Sequence, residues 1–214
     1  QKLTWKKTYD MVFGELIDLI KELTWRKVFL YLTSLVLLGT AVTLMQKTNL
    51  GMSSWDALSR NFFENVIPEY KVITPVVALV LMTLAHLISW RRPSIMFLFP
   101  LVISAAIGAV IDFELTFMPS VVEYGFLVNF GYLTIATILI AIGLNLMIYC
   151  NFPLPALDRF CHAIAERFHL TFGQGKYIGE FLALILTVFV GLYFHTQSDY
   201  FYLGFPTVFF ILFL

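Results

Sequence analysis

Hydrophobic positions along the chain fall in long unbroken runs rather than in alternation. Asp, Glu, Lys and Arg are absent from 28–46, 72–90, 93–111, 124–157, 181–198 and 200–214. A bilayer core of about 30 Å takes about 20 apolar residues as a helix. Backbone in lipid has to satisfy its own hydrogen bonds, which selects helices for solid apolar runs. Strands of a membrane barrel would alternate with a period of two, and a stretch such as Leu79, Val80, Leu81, Met82 does not. The pattern predicts spans at roughly 28–47, 71–90, 94–113, 126–149, 177–196 and from 205 onward. Eight residues follow Pro206, so the sixth span is expected to continue past Leu214.

Residues 8–25 follow a different rule. Val12, Leu16, Ile17, Leu19, Ile20 and Leu23 recur at helical spacing, with Asp10, Glu15, Asp18, Lys21 and Glu22 on the other face. This predicts an amphipathic helix within 1–27 lying on the membrane surface. It does not read as a cleavable signal, because the first apolar run starts after it. The first residue is Gln, so an initiator Met is expected upstream.

Two further segments stand between spans and resemble each other. Residues 49–64 and 151–166 align at a constant offset, matching Asn49 to Asn151, Asp56 to Asp158 and Glu64 to Glu166. Trp55, Leu58, Phe62 and Val66 correspond to Leu157, Phe160, Ile164 and Phe168, each set lining one helical face. Weaker matches continue outward: Met45 with Met147, Lys71 with Lys176, Ala78 with Ala183, Phe99 with Phe205 and Pro100 with Pro206. Each half then reads as span, short helix, span, span. Three spans per half is odd, so the second half enters the membrane from the opposite side, as in the inverted repeats of many secondary transporters. The fold class predicted is an all-α polytopic membrane protein. Its six transmembrane helices form two inverted-topology three-helix repeats, 28–125 and 126–214, each with a short amphipathic or re-entrant helix after its first span.

Charge orients this arrangement. The total is uninformative, with 14 Lys and Arg against 14 Asp and Glu. With the N-terminus inside, however, Lys2, Lys6, Lys7, Lys21, Arg26, Lys27, Arg91, Arg92, Arg159, Arg167 and Lys176 all fall on the inner side. Only Lys47, Arg60 and Lys71 remain outside. The positive-inside rule therefore places both termini in the cytoplasm. Trp25, Tyr31, Trp90, Tyr149 and Tyr177 fall at the inner interface, where amphipathic rings collect. With 59% hydrophobic and 13% charged residues, against about 25% charged in soluble domains, the composition excludes a water-soluble enzyme, a disordered chain and a nucleic-acid binder.

Gly51-Met-Ser-Ser-Trp-Asp-Ala-Leu58 resembles the G-x-G-P-W-D-x-L motif of bacterial YczE/YyaS/YitT-type membrane proteins, and Leu154-Pro-Ala-Leu-Asp158 resembles its second copy. Lys176 with Glu180, and Gly108 with Asp112, resemble residues that open that family's fifth span and close its third. Ser53 and Ser54 stand where the family has Gly-Pro, and Ala156 and Leu157 where it has Pro-Arg. The resemblance covers roughly 28–214 and implies a six-span protein of the bacterial plasma membrane.

The candidate chemistry is sparse. Ser53 and Asp56 form a capping-box-like start, Asp56 can pair with Arg60 and Asp158 with His162, and Pro155 suits a helix's first turn. Both aspartates serve either as caps of interfacial helices or, if the helices are broken half-helices dipping into the membrane, as carboxylates flanking a central site. Such a carboxylate would bind a cation or a proton. Asn145 and Asp112 within or at the ends of spans, Glu180 beside Lys176, and His86 are further candidates, each with a plain packing alternative. The substrate- or ion-binding set is Asp56, Asp158, Asn145, Glu180, Asn49, Asn151, Arg60 and Asp112. Gly39, Ala41, Gly108, Gly131 and Gly143 would permit close helix approach, and Gly173-Gln-Gly175 reads as a turn before the fifth span.

Cys161, His162 and His169 lack a metal-site spacing, and no G-x-S-x-G occurs. No catalytic residue, metal or cofactor is expected. The partners expected are lipid, a small-molecule or ion substrate, and either a second copy or a membrane partner protein. Two functions stay open: a secondary transporter with its site between the repeats, or a non-transporting substrate-capture or accessory subunit.

Overall fold

A computed structural model describes residues 24–48, 50–89, 98–153, 155–194, 202–204 and 207–208. The surface helix expected within 1–27 lies almost wholly outside the described residues, as do Arg91, Arg92 and nearly all of the span expected from 205.

Among the described residues seven α-helices follow one another: α1 (Trp25–Gln46), α2 (Ser54–Asn65), α3 (Tyr70–Ser89), α4 (Phe99–Leu115), α5 (Phe126–Cys150), α6 (Ala156–Phe168) and α7 (Phe172–Phe194). Among the described residues α1, α3, α5 and α7 are long and apolar enough to cross a bilayer. The chain is thus a helical, multi-pass membrane protein. The region 94–113, read from sequence as a span, is helical from Phe99, and its 17 residues correspond to about 26 Å of helix.

Local chemistry sets the boundaries. Ser53 caps α2, its hydroxyl accepting from the Asp56 amide, as the sequence suggests. Pro100 occupies the first turn of α4, where its missing N–H is not needed. Pro155 instead precedes α6 as its cap residue, one position earlier than expected. Asn151 and His169 end α5 and α6 in the left-handed region at φ 56° and 54°. The fifth span begins at Phe172, five residues before the apolar run suggests. Thr171 and Gln174 form a reciprocal cap there: the Gln174 amide donates to Thr171 Oγ1 (3.3 Å) and the Thr171 amide to Gln174 Oε1 (3.0 Å). Gly173 and Gly175 are therefore helical residues, not a turn.

Packing runs across the chain. α1 lies along α5 and against α4, α3 against α4, α6 against both α3 and α7, and α2 against α7 and α3. Close approach depends on small residues at specific sites. A Cβ on Gly39 would sit 2.6 Å from Val110 of α4, and one on Gly143 would sit 3.0 Å from Leu38 of α1. On Gly108 it would run into Thr74 Oγ1 and the Tyr70 carbonyl of α3. Gly131, read from sequence as another such position, faces open space, with nothing within 4 Å of where a Cβ would stand. Outward faces are apolar: Leu32, Val80, Leu127, Ile142 and Phe189 are all exposed. Contiguous apolar surface on this scale suits lipid rather than water.

The loops entering α2 and α6 are tied down. Tyr31 of α1 donates to the Pro153 carbonyl (3.1 Å) ahead of α6. Ahead of α2, the Met52 amide donates to the Tyr202 carbonyl (3.0 Å) and the Thr207 hydroxyl donates to the Met52 carbonyl. Gly51, at φ 91°, meets Gly204 so closely that a Cβ on either would strike the other segment.

Glycines 108 and 131 make contrasting predictions. Gly108→Ala should destabilise the protein by about 1–3 kcal/mol through overpacking. Gly131→Ala should be neutral or stabilise by up to about 1 kcal/mol through helix propensity. Unfolding midpoints of the two variants in detergent check the difference.

Candidate functional site

The two short helices are placed by their amphipathic faces. Trp55 and Leu58 on α2, and Ala156, Phe160, Cys161 and Ile164 on α6, join Ala78, Leu81 and Met82 of α3 and Ala183 of α7 in one core. Within it the first turn of α2 meets α6: the Trp55 ring stands edge-on to Phe160 with centroids 6.1 Å apart. Thr187 of α7 fixes that turn by donating to the Ser54 carbonyl (2.9 Å). On the other side, α6 and α7 touch at Gly175 and Gly179, where a Cβ would lie 2.5 Å from the Cys161 carbonyl and 2.6 Å from its sulfur.

Charged groups gather where these three helices converge. Lys176 Nζ lies 3.4 Å from Asp158 Oδ1, with both side chains about nine-tenths buried. Asp56 accepts from the Ser53 hydroxyl at 2.5 Å and is partly buried. Glu180, 4% exposed, faces Ser54 and has Asp56, Asp158 and Lys176 as its charged neighbours. Neither Glu180 Oε2 nor Ser54 Oγ nor Trp55 Nε1 completes a hydrogen bond. The result is a buried cluster of three carboxylates and one ammonium with unused polar atoms, built from both halves of the chain. Chemically it can hold a proton or an amine, with an indole N–H and a hydroxyl as additional donors; among the described residues no acidic, His or Cys side chains are grouped closely enough to hold a metal ion.

Three of the residues singled out from sequence, Asp56, Asp158 and Glu180, come together in this cluster. Their pairing differs from expectation. Asp56 binds Ser53, while Arg60 turns to Glu64 (2.8 Å) and to Gln46 (3.0 Å). Asp158 binds Lys176, leaving His162 beside Glu166 at 3.7 Å. Lys176 accordingly does not pair with Glu180, although the two are one helical turn apart. For Asp158, buried Lys176 is a stronger partner than exposed His162, because fewer waters compete for the charges.

The remaining candidates sit elsewhere. Arg60 lies between the Phe63 and Tyr202 rings at 5.1 and 5.6 Å, and the Tyr202 hydroxyl bonds Glu64. Asp112 accepts from the Tyr70 and Lys71 amides at 2.7 and 2.8 Å, capping α3 from the neighbouring α4. Asn145 is exposed on α5, donating to its own helix at the Ala141 carbonyl. Asn151 is the exposed left-handed residue closing α5. His86, on α3, is partly buried. Asn49 lies outside the described residues.

Sequence reasoning passed over Ser54, Trp55 and Thr187, which carried only packing signals, and gave Lys176 the wrong partner. Nor did it single out Glu114. Glu114 is buried on α4, accepting from the Thr40 hydroxyl at 2.6 Å.

Comparison with known proteins now identifies the chain. It belongs to a family of unknown function, DUF6198, whose sequence model matches residues 25–214. No curated protein and no solved structure matches it.

Replacing the Asp112 carboxylate tests its assignment to a cap. Asp112→Ala strands two amides and should cost about 1–2 kcal/mol of unfolding free energy, within the range for lost N-caps. Asp112→Asn keeps one acceptor and should cost less. Denaturation in detergent measures both.

Proposed function

We propose that the chain is a secondary transporter of a small molecule or ion, with its site at the buried cluster of Asp56, Asp158, Lys176 and Glu180. The observation that carries this reading is the convergence itself. Ionisable side chains are rare and costly at membrane depth and mark ion or substrate pathways there. Here two of them lie in the first turns of short helices α2 and α6 and two on α7, with Trp55 of α2 edge-on to Phe160 of α6. Helix N-termini carry the partial positive charge that discontinuous helices lend to transporter sites.

The reading includes an inverted repeat of three plus three spans, with re-entrant α2 and α6, in a bacterial plasma membrane. Two observations support it. If 49–64 corresponds to 151–166, the packing of α2 on α7 and of α6 on α3 is the same contact made twice. Each short helix also follows a long apolar helix through a loop whose main chain is anchored by hydrogen bonds, from the Tyr31 hydroxyl before α6 and with the Tyr202 carbonyl before α2. In this scheme both termini are cytoplasmic, the loop between α2 and α3 is outside, and the end of α6 is inside. α1 and α5, packed on each other, lie on the symmetry axis, and rocking of one half against the other alternates access. The motif around Asp56 and Asp158 extends the resemblance to YczE/YyaS/YitT-type proteins, and the reading is non-enzymatic.

Proteoliposomes holding this chain alone, screened with labelled amines, amino acids and monovalent metal ions, should show saturable uptake of at least one probe. The double substitution Asp56→Asn with Asp158→Asn should lower that uptake by about tenfold or more, as loss of buried charge partners commonly does. Uptake that ignores the double substitution contradicts the site. Failure of every probe favours the accessory-subunit reading.

Topology is tested separately. In a Cys150→Ser, Cys161→Ser background, Glu69→Cys should react with an impermeant maleimide on intact cells and Arg167→Cys only after permeabilisation. Labelling of both from one side contradicts the inverted arrangement.

A further inference from the structure

We propose that Glu180 is the proton-binding group of this cluster, taking up one H+ while Asp56 and Asp158 remain charged. The inference deepens the transport reading by naming the ion, and it is tested at equilibrium, without flux.

The three carboxylates are not equivalent. Asp56 lies in the first turn of α2 and Asp158 in the first turn of α6, where the helix dipole favours negative charge. Each also has a dedicated partner: the Ser53 hydroxyl at 2.5 Å for Asp56 and the Lys176 ammonium at 3.4 Å for Asp158. Glu180 lies in the body of α7, eight residues past its start, with no helix terminus to help. Its Oε2 is buried without a hydrogen bond.

The charged and titratable groups facing it are Asp56 from α2, Asp158 and Cys161 from α6, and Lys176 from its own helix. The only cation of that set is engaged by Asp158. Three ionised carboxylates against one ammonium would leave two negative charges unbalanced in a site shielded from water, a large desolvation cost. Neutralising Glu180, which has neither a counter-charge nor a helix terminus, removes one of the two and leaves the other on Asp56, in the first turn of α2 beside the Ser53 hydroxyl.

Chemically the step is simple addition. A proton from water joins a Glu180 carboxylate oxygen, the carboxylate becomes a carboxylic acid, and no other bond breaks. The acid can then donate where the carboxylate only accepted, and the Ser54 hydroxyl facing it, which completes no hydrogen bond, is available as the acceptor. Binding therefore exchanges a charged arrangement for a neutral one at the point where α2 rests on α7.

Trp55, adjacent in sequence to Ser54 and packed in the same core as Ala183, reports on this exchange. In a Trp5→Phe, Trp25→Phe, Trp90→Phe background, Trp55 fluorescence in detergent should follow a single one-proton transition, about two pH units wide, within the pH range over which the protein stays folded. Glu180→Gln should abolish it, Glu180→Asp should retain it with a shifted midpoint, and the exposed-residue control Glu123→Gln should leave it unchanged. Infrared difference spectra between the two ends of the transition should show a carboxylic-acid carbonyl band that moves in Glu180→Asp, which keeps the test open if Glu180→Gln does not fold.

A transition that survives Glu180→Gln, one driven by Na+ at constant pH, or no transition in the parent protein overturns the assignment. Proton binding without uptake of any probe by proteoliposomes would remove the transport reading and leave Glu180 in place. Uptake with no proton transition would do the reverse.

Discussion

A charge withdrawn from water must be answered inside the protein, and in lipid the protein has few means of answering it. The Lys176–Asp158 pair is the clearest answer here. It joins α6 to α7 at 3.4 Å with both side chains nearly excluded from solvent. Separating the partners would strand a charge at a cost of several kcal/mol, so the position of α6 against α7 is tightly specified. The second answer is the helix N-terminus. Asp56 and Asp158 both occupy first turns, and a first turn is the one part of a helix that stabilises a carboxylate. A short helix with an inward-facing start is therefore a means of carrying an anion into a bundle. α2 and α6 both have this form.

The rest of the molecule is consistent with that constraint. Without a hydrophobic drive between helices in lipid, association depends on close packing and on polar links. Gly39, Gly108 and Gly143 allow α1, α4, α3 and α5 to approach, while Asp112 ties α4 to the start of α3 through two amide bonds. The outward faces carry large apolar side chains that nothing in the chain covers among the described residues. Among the described residues, charged side chains are thus concentrated at helix ends and in the interior cluster of Asp56, Asp158, Lys176 and Glu180, which is what singles the cluster out as a site.

Much of this was legible from the residues. Apolar runs located the long helices because lipid admits no other backbone solution, and Ser53 with Asp56 marked the start of α2. The segments around Asp56 and Asp158 read as two short helices, and both are helical. What could not be read were contacts between distant segments. Sequence spacing offered Arg60 to Asp56 and Glu180 to Lys176 as i+4 partners, yet the chosen partners were Ser53 for Asp56 and Asp158 for Lys176. Local spacing shows what can pair; the packing of α6 on α7 brings Asp158, rather than Glu180, to the Lys176 ammonium. Asp112 illustrates the same gap, since its partners lie about forty residues away and are main-chain amides, which leave no trace in side-chain pattern. The early start of α7 was missed because the glycines at 173 and 175 suggested a turn, when Thr171 and Gln174 were already forming a cap.

The dependence of the interior on matched charge is open to one direct measurement, a double-mutant cycle on unfolding free energy in detergent with Lys176→Met, Asp158→Asn and the two combined. Each single substitution should cost about 3–5 kcal/mol by leaving a buried partner unanswered, and the double should cost far less than their sum. Additive costs would contradict the account, showing that the two side chains do not depend on each other.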